Sequence, residues 1–207
     1  MIKNLFKHSI LITLFVSLAF SCQKNKILFK EDFQNNHNRW DTLTTSYLSN
    51  KIVDRQFIST NEFDNVINFS LIEPQIKEKN LWIESSIKFN KFYKAGSLGG
   101  LIILADNLKD PKEYLFFGIN DKKEVCISRE SLNPSKAQTY YMHKNENLKL
   151  DDYNTFSIHI SNSKLQFLLN SKSVIAIDRI EFSTTIMGYV TLGSQIAVKD
   201  LEIKKSL

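Results

Sequence analysis

Residues 81–89 have the sequence LWIESSIKF, in which apolar and polar side chains alternate. In an extended strand Leu81 and Ile83 fall on one face, whereas Trp82 and Glu84 fall on the other. Similar runs with a period of two follow along the chain, and none has the three- to four-residue spacing of an amphipathic helix. The pattern predicts an all-β fold in which two antiparallel sheets pack as a sandwich.

The predicted strands share this alternation, and clusters of Asn, Asp and Ser separate them. They cover residues 81–89, 100–105, 114–120, 124–129, 155–161, 164–170, 173–178, 187–192 and 197–204. The segments 120–123, 161–163 and 170–172 have the composition of hairpin turns. Asn tolerates positive φ better than other non-glycine residues, so we expect it to replace glycine in these turns. Residues 131–154 have no clear period and predict a long loop, where function often lies.

Composition and charge exclude several classes of protein. The 207 residues suffice for one domain, and 43% apolar with 24% charged residues is ordinary for a globular chain. The net charge of +5 comes from lysines, because the chain has only four arginines, and these are spread along it. Phosphate recognition favours clustered arginines, so we expect no nucleic-acid partner.

The first 22 residues differ from the rest of the chain. Lys3 and Lys7 form a basic head, residues 9–20 are an uncharged apolar run, and Cys22 follows shortly after. A run of about 12 residues is shorter than the roughly 20 that cross a bilayer as a helix, which favours an export signal over a retained anchor. The sequence LAFSC at residues 18–22 resembles the lipobox of bacterial lipoproteins, in the looser form common in the Bacteroidetes.

The lipobox resemblance implies three parts in the chain. Residues 1–21 are a lipoprotein signal peptide, residues 22–26 a short tether and residues 27–207 a β-sandwich domain. Cys22 carries the lipid, including palmitate, and attaches the protein to the membrane; the alternative is an ordinary signal peptide in which Cys22 has no role. Without the signal peptide, 25 basic and 22 acidic residues leave a net charge of +3. Gln23 implies sorting to the outer membrane, facing the periplasm, and exposure on the cell surface remains an alternative.

Several of the runs occur in an order typical of one fold family. Residues 29–36, FKEDFQNN, and then Trp40 resemble the opening of concanavalin A-like (laminin G-like) jelly-roll domains of Bacteroidetes lipoproteins. Residues 83–87, 99–102, 114–119, 153–170 and 188–203 resemble its middle strands, a hairpin and its closing strand. Phe156 and Ser171 depart from the Trp and Gly of the family pattern. The resemblance spans nearly all of the domain and implies a two-sheet antiparallel jelly-roll sandwich.

The family includes carbohydrate-binding domains, glycan-cleaving enzymes and the 3-keto-disaccharide hydrolase group, so the fold alone does not select a function. Its glucanase branch carries E-x-D-x-E or E-x-D-x-x-E, which supplies two nearby carboxylates, and neither motif occurs here. No zinc, Ser-His-Asp or phosphate-loop motif occurs either.

Two residues with reactive side chains have structural interpretations. Cys126 lies in a strand-like run and is predicted to be a buried apolar residue. His159 should lie on the face opposite Ile158 and Ile160. We predict no catalytic residue.

Sugar binding requires aromatic faces with amide or carboxylate groups beside them. The candidate ligand-binding residues are Trp82, Glu84, Tyr114, Tyr140 and Tyr141. Each also has a structural interpretation, because Trp82 can cover a sheet face, Tyr114 can lie in the core and the tyrosine pair can anchor the long loop.

A structural Ca²⁺ is the one possible metal. Related sandwiches often hold Ca²⁺ near paired terminal strands, and Asp32 and Asp200 would be neighbours if the first and last strands pair. The alternative is that Asp32 caps a loop and Asp200 is solvent-exposed. No other cofactor is expected.

The leading hypothesis is a lipid-anchored cell-envelope binding module with a glycan as its ligand. The alternatives are an enzyme of the 3-keto-disaccharide hydrolase type and a structural or partner-binding envelope lipoprotein. The sequence leaves the oligomeric state open.

Overall fold

The structure is a computed structural model that describes residues 26–180 and 184–206. These residues form 14 β-strands and no helix, so the predicted all-β fold is confirmed. In these two ranges no helix is long and apolar enough to cross a membrane. The predicted signal peptide, Cys22 and residues 23–25 of the predicted tether lie outside the described residues.

The strands are numbered in chain order. The first seven are β1 (Ile27–Glu31), β2 (Leu48–Val53), β3 (Gln56–Asn61), β4 (Asn68–Ile72), β5 (Leu81–Phe92), β6 (Leu98–Ala105) and β7 (Glu113–Asn120). The other seven are β8 (Glu124–Ser131), β9 (Gln138–Lys144), β10 (Asn154–Ile160), β11 (Lys164–Leu169), β12 (Lys172–Asp178), β13 (Ile186–Leu192) and β14 (Ser194–Lys205). Nine of them coincide with the predicted strands, and β1 to β4 and β9 are additional.

Two antiparallel sheets form a sandwich. The eight-stranded sheet has the order β12-β11-β10-β5-β14-β3-β2, and β1 pairs with the C-terminal part of β14. The six-stranded sheet has the order β4-β13-β6-β7-β8-β9. The predicted turns at 120–123 and 161–163 close hairpins. The turn predicted at 170–172 also closes one, but it is limited to residues 170–171 because β12 begins at Lys172. Because β1 pairs with β14, the first and last strands are neighbours, as the calcium hypothesis requires.

The main core lies between the sheets and consists of the inward-facing residues of both. Ile83 and Ile87 of β5 are fully buried, in agreement with the alternation in residues 81–89. Phe117 of the six-stranded sheet contacts Phe156 and Phe167 of the eight-stranded sheet edge to face, with ring centroids 4.8 and 5.4 Å apart. Phe156, which stands where the family pattern has Trp, thus fills an inter-sheet position with a smaller aromatic ring.

Trp40 fastens the N-terminal segment to this core. Its ring centroid lies 5.5 Å from Phe57 and 5.3 Å from Tyr189. Its indole Nε1–H donates to Glu31 Oε2 at 2.8 Å, and Glu31 Oε1 accepts from the backbone N–H of Phe33 at 2.7 Å. Asn38 Nδ2 also donates to Glu31 Oε2 at 2.7 Å, so the buried Glu31 carboxylate satisfies three donors. The opening motif of the family resemblance has a structural role in this chain.

A second apolar cluster lies on the outer face of the six-stranded sheet. It contains Leu71, Ile102, Tyr114, Phe116, Cys126 and Val190, all of them buried. The burial of Cys126 confirms its prediction, and burial followed by the charge of Glu124 raises the pKa of its thiol to about 12. A thiol with such a pKa is protonated at neutral pH and is a poor nucleophile.

Two predictions about loops are wrong in part. Residues 131–154 include β9, which pairs with β8 through a bulge, so the long loop is a strand with two shorter connections. In the described ranges only one of eight non-glycine residues with positive φ is an asparagine, Asn170. Other asparagines shape turns through their side chains: Asn120 Oδ1 accepts from the backbone N–H groups of Lys122 and Glu124. Such side-chain bonds stabilise a turn without a positive φ at the asparagine itself.

Candidate functional site

The predicted ligand-binding residues lie at three separate places. Trp82 and Glu84 lie on the outer face of the eight-stranded sheet, because their neighbours in β5 point into the core. Tyr114 belongs to the cluster on the outer face of the six-stranded sheet. Tyr140 and Tyr141 lie in β9 at the edge of that sheet. The sandwich core separates the first pair from Tyr114, so the five residues do not form one site.

Tyr114 lines a pocket of about 520 Å³, which we call the Tyr114 pocket. Phe69 of β4 packs its ring edge to face against Tyr114, with the ring centroids 5.5 Å apart. Glu130 of β8 lies directly opposite Tyr114 in the strand register, and both residues line the pocket. The pocket therefore combines an aromatic surface with a carboxylate.

The Tyr114 hydroxyl is a hydrogen-bond donor at neutral pH. Burial of the side chain, and then the negative charge of Glu130, raise the pKa of Tyr114 far above its usual range. Ser128 Oγ donates to Glu130 Oε1 at 2.6 Å, which orients the carboxylate. A protonated hydroxyl and a carboxylate side by side can donate to one hydroxyl of a polyol and accept from the next.

Glu84, in contrast, lies in a ladder of charged side chains along the eight-stranded sheet. Lys204 Nζ donates to Glu84 Oε2 at 2.8 Å, and Ser157 Oγ donates to Oε1 at 3.2 Å. Lys204 also pairs with Glu202 at 3.0 Å, and Lys30 pairs with the other oxygen of Glu202 at 2.9 Å. Both oxygens of Glu84 thus have partners within the protein, which is typical of a structural network.

Glu84 and Glu202 face each other on β5 and β14 and are the pair to test for glycosidase chemistry. Burial raises the pKa of Glu84, but hydrogen bonds from Lys204 and Trp82 outweigh it and hold the pKa below its usual value. Hydrogen bonds from Lys30 and Lys204 lower the pKa of Glu202. A retaining glycosidase needs one protonated carboxyl at working pH. Both of these carboxyls are ionised, so this pair lacks the acid.

Trp82 packs against His159 on the same outer face. Their ring centroids are 5.2 Å apart, and His159 Nε2 lies 2.6 Å from Ser206 Oγ. His159 lies opposite Trp82 in the register of β5 and β10, while Ile158 and Ile160 are buried, so the predicted orientation of His159 is confirmed. The ring of Trp82 covers part of the sheet face, in agreement with its structural interpretation.

Tyr140 and Tyr141 are half-buried and pack against the main core. The ring of Tyr141 contacts His143 of the same strand edge to face, at 5.2 Å. Burial raises the pKa of Tyr140, and the nearby Arg129 partly offsets this rise. The two tyrosines hold β9 against the sandwich, and their ligand-binding role stays a prediction.

Asp32 and Asp200 lie near the place where the end of β1 pairs with β14, and at least one oxygen of each has a protein partner. Asp32 Oδ2 accepts from Gln34 Nε2 at 2.8 Å, and Asp200 Oδ1 accepts from the backbone N–H of Ser86 at 3.0 Å. No group of three or more His, Cys, Asp or Glu placed to hold a metal ion occurs within residues 26–180 and 184–206. These residues do not form a closed cation site, and calcium binding stays a prediction.

The order and pairing of the strands define the class of fold, a concanavalin A-like jelly-roll sandwich. No protein-family model matches the sequence, and no curated protein is detectably similar to it. The fold is instead similar to several solved structures. One is the catalytic domain of an endo-1,3-β-glucanase (laminarinase) from Thermotoga petrophila, with a TM-score of 0.63 and 10% identity over 89% of this chain and 99% of that one.

Two further structures resemble the chain at similar levels. A glycoside hydrolase family 16 enzyme of a Bacteroides ovatus mixed-linkage glucan locus has a TM-score of 0.60 and 16% identity, over 86% of this chain and 100% of the other. The carbohydrate-binding module CBM66 from Bacillus subtilis has a TM-score of 0.58 and 15% identity, over 80% and 95% of the two chains. At these identities the likeness shows the fold alone.

Of the residues that line the Tyr114 pocket, the sequence analysis named only Tyr114 as a candidate; Phe69 and Glu130 are among those that it missed. Glu130 had a usable signal: if residues 120–123 close a hairpin, Tyr114 and Glu130 are paired across β7 and β8. Phe69 had none, because β4 reaches the six-stranded sheet by pairing with β13, which is more than 100 residues away in the sequence.

Proposed function

We propose that the chain is a glycan-binding module and that the Tyr114 pocket holds the sugar. The observation that supports this most directly is the convergence of two aromatic rings and a carboxylate, Phe69, Tyr114 and Glu130, on one pocket of about 520 Å³. Aromatic side chains bind the apolar C–H faces of sugars, and a few oriented polar groups then select the hydroxyls. The outer face of the eight-stranded sheet has fewer polar groups available to a sugar, because its Glu84 and Glu202 are both paired with Lys204.

Glycan binding can be tested with the full chain, purified in a zwitterionic detergent that carries no sugar headgroup. A glycan array would identify a ligand, and calorimetry would give its affinity. We expect Tyr114→Ala to weaken binding about tenfold or more, since loss of about 1.4 kcal/mol corresponds to a factor of ten. Glu130→Gln should also weaken binding, because the amide can accept only at one of the two former carboxylate positions.

Trp82→Ala is the matched comparison, since it removes an aromatic ring from the outer face of the other sheet. We expect it to leave the affinity unchanged. Loss of binding in Trp82→Ala with normal binding in Tyr114→Ala would place the site on the eight-stranded sheet and contradict the proposal. Turnover of the bound glycan, or of 3-keto-disaccharides, would indicate an enzyme instead.

We also propose that Cys22 attaches the protein to the cell envelope by a lipid. The support is the sequence alone: a basic head, an apolar run of about 12 residues and LAFSC at residues 18–22. Two acyl chains give stable anchoring, whereas one chain gives marginal binding. A diacylated Cys22 therefore suffices for stable attachment to a membrane, and Gln23 after it favours the outer membrane, facing the periplasm.

Cys22→Ser should abolish the lipid attachment. In cells grown with an alkyne-bearing fatty acid, the natural chain should be labelled and sediment with membranes, and the variant should be unlabelled. Cys126→Ser, which removes the other cysteine, is the matched control and should keep the label. Labelling that persists in Cys22→Ser would contradict the lipoprotein proposal without affecting the proposal for the Tyr114 pocket.

A further inference from the structure

Two large aliphatic side chains in the wall of the Tyr114 pocket are exposed to solvent. Ile67 is 46% exposed and Leu132 is 73% exposed, and both line the pocket beside Phe69 and Tyr114. A large aliphatic side chain on the surface costs little by itself, but several around one pocket mark a surface that gains free energy when something apolar covers it. A sugar whose substituents are all hydroxyl or hydroxymethyl groups has no methyl to cover these two side chains. Its hydroxyls would lose hydration if they packed against them.

The charged residues of the pocket indicate a neutral ligand. Two lysines, Lys109 and Lys112, and two acids, Asp110 and Glu130, line it. Lys112 pairs with Asp110 at the rim. The charges of these four side chains cancel, so the pocket has no excess of cations for a uronic or sialic acid and no excess of anions for an amine.

We infer that the Tyr114 pocket recognises a neutral sugar through a methyl group, with Ile67 and Leu132 covering the methyl while Tyr114 and Glu130 bind the ring hydroxyls. This inference rests on the proposed glycan binding and names the chemical class of its ligand. Two kinds of sugar carry such a methyl: 6-deoxyhexoses, at C6, and N-acetylhexosamines, on the acetamide. The shared chemistry is a methyl group beside at least two hydroxyls.

Pairs of sugars that differ by little more than this methyl test the inference. L-Fucose is L-galactose with a methyl in place of the hydroxymethyl group, and N-acetylglucosamine is N-formylglucosamine with one added methyl. Changing an apolar ligand group by one methylene changes affinity by roughly 10- to 200-fold in an apolar pocket. Because this pocket is open, we expect the methyl sugar of one pair to bind the full chain about tenfold more tightly. The pair that shows the difference identifies the source of the methyl.

Variants of the two aliphatic residues locate the contact. We expect the double variant Ile67→Ser, Leu132→Ser to reduce the tenfold ratio to about one. Both side chains are substantially exposed, so folding should be unaffected. Leu150→Ser removes a leucine that is 52% exposed and lies outside the pocket, and it should keep the full ratio.

The possible failures can be told apart. Binding of glycans without preference within either pair would overturn the inference and leave the proposed function standing. A preference that survives in the double variant would place the methyl contact elsewhere and would also overturn it. Absence of binding to every glycan on the array would overturn the proposed function, and the inference with it.

Discussion

Replacing Trp40 by alanine should lower the free energy of unfolding by about 3–5 kcal/mol, the usual cost of removing a large buried aromatic side chain. Trp40 is only 2% exposed. Its ring packs among three other aromatic rings, those of Phe33, Phe57 and Tyr189, with centroids 5.3 to 5.5 Å away. Alanine would leave a cavity there and would also remove a donor from the buried Glu31 carboxylate. Urea unfolding followed by circular dichroism measures the loss.

Two milder variants separate packing from hydrogen bonding. Trp40→Phe keeps an aromatic ring but removes the indole N–H. We expect it to cost about 1.5–3 kcal/mol, the usual contribution of a hydrogen bond to a charged group, because Glu31 Oε2 keeps Asn38 as a donor. Glu31→Gln should cost a similar amount. Its single carbonyl oxygen cannot accept both from the Phe33 N–H on one side and from the Trp40 and Asn38 N–H groups on the other. If Trp40→Ala cost no more than Trp40→Phe, the proposed anchoring of the N-terminal segment by ring packing would be wrong.

Gly118→Ala should cost about 3 kcal/mol, at the upper end of the range for overpacking. A Cβ at Gly118 would lie 2.5 Å from the ring carbon Cζ of Phe116 and closer still to the backbone oxygen of Gly99. Phe116 is a side chain and can move, but Gly99 belongs to the paired strand β6. The strands must therefore separate locally, and the ladder between β6 and β7 weakens. Thermal and urea unfolding of the purified chain measure the effect.

Gly96→Ala provides the comparison. A Cβ at Gly96 meets no atom within 4 Å, so its cost comes only from the positive φ of 82°. That conformational strain amounts to about 1–2 kcal/mol for an L-residue. We therefore expect Gly118→Ala to be the more destabilising of the two. Equal effects would mean that strand contact around Gly118 is looser than the structure indicates.

The sequence predicted the fold class because strand periodicity is a local property. The alternation in residues 81–89 assigns Ile83 to the core and Trp82 to the outer face, and the structure agrees on both. The same reasoning placed His159 correctly. It failed for residues 131–154, because β9 is mixed in polarity and lies at the edge of a sheet. Its side chains therefore have no clean alternation between core and solvent.

The candidate site was only partly predictable. Tyr114 was identified from its aromatic character, and Glu130 lies across from it in a hairpin that the turn at 120–123 indicates. Phe69 and Ile67 reach the pocket through the pairing of β4 with β13, which no local pattern encodes. Trp82 and Glu84 share one face of a predicted strand, and they were grouped with Tyr114 because sugar binding requires aromatic rings beside carboxylates. A sequence does not reveal on which side of the sandwich such a face lies.

What the sequence by itself determined is the all-β sandwich with its core residues. The signal peptide and the lipid site at Cys22 stay predictions. What only the tertiary structure decided is which polar and aromatic residues lie together. Side-chain alternation depends on neighbours two positions apart, so it is visible in any short segment. The Tyr114 pocket depends on strands that meet from distant parts of the chain, and a shift of one residue in their register would turn Tyr114 or Glu130 to the opposite face.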